Sequence, residues 1–505
     1  MKFISWLDSI NSNSKNYKLY SLVSLLVLFF LILIRNPIYI TTPRFWSEEQ
    51  SYFELFFHFE NWWEGFDALT FPTHYIFFLR VAGLLATFPE LEYAPIATTI
   101  FGFMILTLPL LILFFTDCKY WDSLQKKIVL SFFLIFSCST GEIWLTSTNV
   151  QTMIPVSSFL ILLDNNLVRK SKKVIYAIIL ACAVITGPTT LFMAPFFLLR
   201  WIQTRHKQFL NYCVILFFFG VLHLTYFFVS RHAGLTFDGR FSSEFDPIKS
   251  FIYITSPAVI FPLFGYFVSI IYRTGLDIIH IGLDTTPYLG SPDYLGLIVK
   301  IFPSFMVAGI ENIIIALVKV KILIIGFFFV AFCLIFYYEF KKADFDERAY
   351  FLSLYFYLVL LLGVLSIQGL GGFRYSYLTS FILLFYLYQR LVFNKEKIKR
   401  RLIKFLLIFS VTISIFEYYP RTISYSPDVL FGKDADWPVW SEEVALWRKN
   451  SSYKPQVWAG IKKSNGIWPA RNIVATANLN EPEFWEKYGQ NKKFSEEFLK
   501  ILSSE

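Results

Sequence analysis

Charge is what this chain most conspicuously lacks. Only 16% of its 505 residues are charged, against about 25% in soluble domains, which excludes an ordinary soluble enzyme. Cysteine is scarce as well. Cys118, Cys138, Cys182, Cys213 and Cys333 form no CxxC pair and no Cys/His cluster, which argues against a disulfide framework and structural zinc. They read as free buried thiols that behave as small hydrophobes. No Walker loop, HExxH, GxSxG or Rossmann fingerprint occurs, which argues against nucleotide-driven coupling and metalloprotease chemistry. Internal repeats, low-complexity segments and Gly/Ser linkers are absent too. The first apolar segment, 19–34, is followed by no small-residue cleavage site, so it is expected to stay as a membrane anchor rather than be removed as a signal peptide.

What replaces charge is apolar surface. Hydrophobic residues make up 55% of the chain and Phe alone supplies 59; the mean hydropathy is +0.52. The composition predicts an all-α polytopic membrane protein with the bilayer as partner. It does not predict a nucleic-acid binder, despite a net charge of +9. A crossing helix needs roughly 20 mainly apolar residues. Candidate segments centre on 19–34, 95–116, 128–140, 152–164, 174–186, 188–200, 209–229, 251–272, 295–310, 320–338, 350–367, 377–390 and 403–416, which predicts 11 to 13 helices. Lys and Arg accumulate in cytoplasmic loops. The loops 1–18, 117–127, 164–173, 200–208, 339–349 and 390–404 hold 23 basic residues in 74 positions, whereas the intervening loops hold 7 in 106. The N-terminus is therefore expected inside and the loop 35–94 outside. A crossing at Phe71 to Phe88 would break that alternation. The stretch is expected instead to lie in the outer interface, with His74 and Arg80 on its wet side. The division expected is a membrane domain at 1–416 and a small outer C-terminal domain at 417–505. That tail carries 12 basic and 12 acidic residues and six of the 13 Trp.

Three polar clusters fall in the expected outer loops. Thr41 to Phe53 holds Arg44, Glu48, Glu49 and Tyr52 among aromatics. A solvated loop with an interface belt has this composition. So does a carboxylate partly desolvated by Phe and Trp, whose raised pKa suits it to take a proton from a hydroxyl. Gly141 to Thr152 brings Glu142, Asn149 and Gln151 into a loop without basic residues, either a polar helix corner or part of a site. Gln368 to Leu378 places Arg374 and Tyr375 after glycines at a helix mouth. An Arg at that depth calls for an anion, either a ligand or an internal acid. Thr186 to Pro195 reads as a tight outer turn, and Ser230 to Asp246 as a solvated loop.

The run FWSEEQSYF, Phe45 to Phe53, resembles the acidic motif that follows the first helix of GT-C fold glycosyltransferases. Glu48 stands where that family has its catalytic Asp, Glu49 at the second acid and Tyr52 at the aromatic. Thr73 to Leu106 is similar to the family's interfacial helix and second crossing. Length, Phe content and tail look most like bacterial serotype-converting O-antigen glucosyltransferases. The resemblance implies transfer of a sugar, glucosyl in that family, from a polyprenyl-phosphate donor to a lipid-linked polysaccharide or O-antigen acceptor. The reaction would take place at the periplasmic face of the bacterial inner membrane. Glu48 or Glu49 would act as base. Arg374 and Tyr375, with Arg44, would hold the donor phosphate, while Tyr52, His74, Glu142, Asn149 and Gln151 would line the substrate. Tail tryptophans would offer faces for sugar rings. No cofactor or metal ligand set follows. An O-antigen polymerase or ligase, or a flippase for lipid-linked saccharides, remains the alternative. Acids directly after the first helix favour the transferase, and helix interiors almost free of charge disfavour a transport path.

Overall fold

The computed structural model describes residues 16–35, 37–58, 61–69, 75–116, 118–137, 144–164, 166–167, 169–234, 260, 262–264, 354–355, 357, 377–393, 396–418, 439–450, 452–453, 455 and 493–503. Among these the chain is helical, and an isolated bridge between Ala68 and Lys493 is the extended pairing. In chain order the helices are α1 (Tyr17–Arg35), α2 (Ser47–His58), α3 (Trp62–Asp67), α4 (Phe77–Leu85), α5 (Ala94–Phe115), α6 (Leu124–Phe136), α7 (Val150–Leu163), α8 (Lys170–Thr186), α9 (Pro188–Leu191), α10 (Ala194–Thr204), α11 (Lys207–His232), α12 (Tyr377–Phe393), α13 (Lys397–Tyr418), α14 (Trp440–Lys449) and α15 (Phe494–Ser503). One-turn pieces at Ile38–Thr41 and Leu91–Tyr93 complete the set.

Three of these helices, Tyr17–Arg35, Leu91–Phe115 and Lys207–His232, are long and apolar enough to cross a membrane. The described residues are helical, and these three helices mark the protein as a membrane protein. Helices occupy eight of the expected segments with small shifts of their ends. The segment 188–200 differs: it is split into α9 and α10, because the chain turns at Phe192 and Met193 before Pro195 opens the second piece. The segments 251–272, 295–310, 320–338 and 350–367 lie almost wholly outside the described residues.

Lipid-facing surface shows as an inverted amphipathic pattern. On α1 the exposed apolar side chains are Leu19, Leu22, Val23, Leu26, Val27 and Phe30, an i, i+3, i+4, i+7 stripe that in water would be a liability. Val214, Phe217, Phe218, Val221, Leu222 and Phe228 form the same stripe on α11.

The chain divides into two compact units. One comprises Met1–Asp238, Ser414–Ser464 and Ala470–Glu505, the other Gly239–Ile413 and Asn465–Pro469. In the first unit the helix ends sort into two groups. One group gathers Tyr17, the C-terminus of α5, the N-termini of α6, α8 and α11, and the C-terminus of α7. There Lys127, fully buried, donates to the carbonyls of Phe114 and Thr116, a cation at the negative end of α5. Asp164, also buried, accepts from Tyr176 at 2.7 Å and pairs with Lys172 at 2.5 Å. The other group gathers the end of α1, helices α2 to α4, the N-termini of α5 and α7, and the C-termini of α8 and α11. Arg35 closes α1 there, 3.9 Å from the Trp144 ring centroid. In the second unit Ser410 on α13 donates to the Pro262 carbonyl, and Phe264 meets Phe409 at 6.3 Å.

Helix α4 has nine residues, about 14 Å at 1.5 Å per residue, well short of a crossing. Arg80 on it is not on a wet side. It is 0% exposed and donates to the carbonyls of Gly65 and Ala68 and to the Tyr226 hydroxyl, within an aromatic box of Tyr52, Tyr75 and Tyr226. The expectation failed because it treated the helix as free to turn its charge to water. Here the turn after α3 and the end of α11 deliver acceptors to the guanidinium. Gly83 allows the approach of α4 to α2, since a Cβ there would lie 2.6 Å from the Tyr52 carbonyl oxygen. Arg80→Met is therefore expected to lower stability by about 3 kcal/mol, leaving buried acceptors without a donor, and Tyr226→Phe by about 1 kcal/mol. Thermal melting in detergent checks both, and an Arg80→Met variant melting with the wild type would refute this role.

Candidate functional site

The site begins with the chain's exit from α1. α1 ends before Pro37, a one-turn helix follows at Ile38–Thr41, residues 42–46 are non-helical, and α2 opens at Ser47. Phe45 and Phe53 stack at 4.9 Å, and Trp46 packs edge-on against Tyr39 at 5.9 Å. This aromatic packing presses the first turn of α2 inward. Glu48 and Glu49 both fall in that turn.

Glu49 is 2% exposed and fully hydrogen bonded. The Trp46 backbone N–H donates to Oε2 at 2.9 Å. The Ser147 N–H and hydroxyl reach Oε1 at 2.5 and 2.8 Å. Thr98 Oγ1 lies 3.1 Å from Oε2 and 2.9 Å from the Pro95 carbonyl oxygen. A hydroxyl has one proton. If Thr98 gives it to Pro95, its lone pair faces Glu49, and that contact is favourable only when the carboxyl carries a proton. Burial pushes the Glu49 pKa up from its usual value, against the lowering effect of the Trp46, Ser147 and Thr98 hydrogen bonds. Both arguments favour the protonated form of an acid that bridges three segments.

The bridge depends on backbone proximity. Gly102 on α5 makes room for the 145–146 turn, since a Cβ there would lie 2.8 Å from the Thr146 carbonyl carbon. Leu145 takes a left-handed conformation, φ 56°, at that point. Asn149, buried, opens α7, and its carbonyl accepts from the Thr152 N–H and hydroxyl. Gln151, half-buried, packs on Gly187, and the Thr186 hydroxyl lies 3.4 Å from the Phe78 N–H. The clusters at 41–53, 141–152 and 186–195 therefore meet at one end of the bundle.

Other expected site residues have different surroundings. Tyr52 is buried in the aromatic box around Arg80. Arg44 is ion-paired with Glu443 on α14, with both side chains almost wholly buried. Trp440 on the same helix is no open platform for a sugar: it is 2% exposed, 5.3 Å from Phe45, and donates to the Leu91 carbonyl. The apolar Phe45, Phe53, Ala86, Ala94 and Val444 draw it inward. Tail helix α15 docks by Ser495 on Asp67 and Phe494 on Tyr226. His74, Glu142, Arg374, Tyr375, Trp437, Trp458, Trp468 and Trp485 lie outside the described residues, and of Glu48 only the helical backbone is described. Sequence reasoning missed Thr98, Ser147 and the buried Gln50–Glu54 hydrogen bond at 2.5 Å. An i, i+4 polar pair on a largely aromatic helix was the available signal for the last. Glu443 gave no signal, being 399 positions from Arg44.

A carboxyl whose pKa is raised on folding holds its proton more tightly folded than unfolded. Its contribution to stability is fully present below the ordinary value of 4.5 and is lost as pH rises through the raised value. The melting temperature should accordingly fall with rising pH across that window, and Glu49→Gln should flatten the slope. The variant should also lose about 1–3 kcal/mol, because an amide has one acceptor oxygen for two backbone N–H groups. An unaltered pH slope in the variant would count against a protonated Glu49. Comparison of the chain with family models, curated proteins and solved structures gives no match.

Proposed function

We propose that the protein is a hexosyltransferase. In this reading it moves a sugar, glucosyl by the resemblance, from a polyprenyl-phosphate donor to a cell-surface polysaccharide or O-antigen acceptor at the periplasmic face of the inner membrane. The observation that supports this reading best is the acidic pair opening α2 directly after the first spanning helix, with Glu49 built into α5 and the 144–149 turn. With both Glu49 oxygens engaged, Glu49 is assigned as the positioning residue and Glu48, one position earlier in the same turn, as the base.

The step balances without further reagents. Glu48 takes the proton of the acceptor hydroxyl, whose oxygen attacks the anomeric carbon. The bond from that carbon to the phosphate oxygen breaks, and its electron pair leaves with the lipid phosphate. A phosphate leaving group needs no general acid. Because Glu443 occupies Arg44, the role of gripping that phosphate is assigned to Arg374, whose planar fork suits it, with Tyr375 beside it. A lipid-linked donor keeps its polyprenyl chain in the bilayer while the sugar reaches the polar end of the bundle.

Purified protein given a polyprenyl-phosphate sugar and acceptor tests the assignment. Glu48→Gln should reduce transfer about 100-fold or more, the scale of a lost general base, with melting unchanged. Near-normal turnover in Glu48→Gln would end the base role, and no transfer by the wild type on any such donor would end the reading. Sidedness is tested separately in a cysteine-free background. Cysteine placed at the exposed Lys449 should react with an impermeant reagent in spheroplasts, and cysteine at the exposed Asp122 should not. The reverse pattern would overturn the orientation.

A further inference from the structure

The first turns of α13 carry two exposed stripes side by side. Ile398, Leu402 and Phe405, spaced i, i+4, i+7, are 82%, 58% and 61% exposed. Lys397, Arg400, Arg401 and Lys404, spaced i, i+3, i+4, i+7, are exposed along the flank of that apolar line. At 100° per residue the mean directions of the two stripes differ by roughly a right angle or slightly more. Lys399 is paired with Glu396 at 2.8 Å. Among the described residues, Lys397, Arg400, Arg401 and Lys404 form no ion pair.

This arrangement works against the helix that carries it. The first turn of α13 has no acid within it, and cations there face the positive end of the helix dipole. Like charges at i, i+3 and i+4 repel on top of that. Ile398 and Leu402 precede the expected crossing 403–416, so without a lipid surface water would have to solvate this end of the apolar stripe, while the basic one would gain nothing from the protein. A surface offering hydrocarbon beside fixed negative charge relieves both costs at once. The apolar side chains enter the acyl boundary and the long Lys and Arg stems keep their heads at phosphate level.

We propose that the N-terminal half of α13 is a docking surface for anionic phospholipid headgroups. Charge complementarity selects that occupant. A zwitterionic headgroup carries its own cation and cannot neutralise four adjacent positive side chains. An acidic protein partner would match the charges but would leave Ile398 and Leu402 in water unless it also supplied an apolar face. The inference stands apart from the catalytic reading, since it uses no residue of the acidic site.

The test uses the full-length protein in detergent, titrated with short-chain phosphatidylglycerol or short-chain phosphatidylcholine and followed by thermal melting. The wild type should bind phosphatidylglycerol at least tenfold more tightly, and raising salt should erase the difference. Neutralising Lys397, Arg400, Arg401 and Lys404 together to Gln should abolish the preference. Single variants Arg400→Gln and Lys404→Gln should each weaken it about fivefold, the usual weight of one basic residue at an anionic surface, and they keep the test decisive if the fourfold variant does not fold. Arg400→Lys should retain it, because the field and not a bidentate fork is being read. Equal affinity for the two lipids, a preference that survives neutralisation, or equal stabilisation by inorganic phosphate would each overturn the proposal.

Discussion

A carboxyl that cannot reach water has to be satisfied by protein, and at one end of this bundle that requirement falls on Glu49. Its two oxygens draw a donor from the residue just before its helix and two from a turn 98 residues later, and they meet the Thr98 hydroxyl on the helix between them. The 145–147 turn is too short to fold by itself, and the apolar face of α2, Tyr52, Phe53, Leu55 and Phe56, does not by itself fix the polar first turn. The acid is thus less a feature of the site than the condition for it. The same enclosure raises its pKa and so favours the protonated form, since an isolated buried carboxylate is far more costly than a buried acid with partners.

The same logic repeats at the other buried ions of the first unit. Arg80 is held by two carbonyls and a tyrosine hydroxyl, Lys127 by the carbonyls that end α5, and Asp164 by Tyr176 and Lys172. Lys127 and Asp164 sit at helix ends and Arg80 on a helix too short to cross, none of them in the middle of a spanning helix, where a bilayer would leave it nothing to pair with. The interiors are left to Leu, Ile and Phe, which do not discriminate one neighbour from another. Specificity of the packing comes from the ends, where glycines let backbones approach and polar groups must match. This explains why Gly83 and Gly102, each backing a segment of the Glu49 region, matter more than their size suggests.

Much of the helical frame was legible because hydropathy is a one-dimensional signal: 95–116 appears as Ala94–Phe115 and 209–229 within Lys207–His232. Charge counting also read the loops 35–94, 140–151 and 186–189 as sharing a side, and the parts of them that are described do meet in the first unit. What failed was direction and partnership. Arg80 looked like a wet residue because its acceptors come from residues 65, 68 and 226, and spacing along one helix reveals nothing about them. Trp440 looked like an open face because composition cannot tell an aromatic that faces solvent from one that closes a core. The acid pair was visible at once, yet which acid is locked depends on Ser147 and Thr98, and they read as unremarkable small residues in polar or small-residue stretches.

The tail adds a constraint that composition concealed. With equal acid and base counts it resembles a detached soluble module, yet α14 buries Glu443 against Arg44 and Trp440 against Phe45, directly beside the first turn of α2. A buried ion pair of this kind adds little net stability, because desolvation offsets most of the attraction, but breaking it strands a charge and costs several kcal/mol. Its consequence is therefore geometric. Arg44 can lie under apolar cover only while α14 is in place, so the stretch of chain that aims the acids is shaped by residues more than 390 positions away. The acidic turn and the docked tail share the Arg44–Glu443 pair and the Phe45–Trp440 contact, so a change at α14 bears directly on the segment that leads into α2.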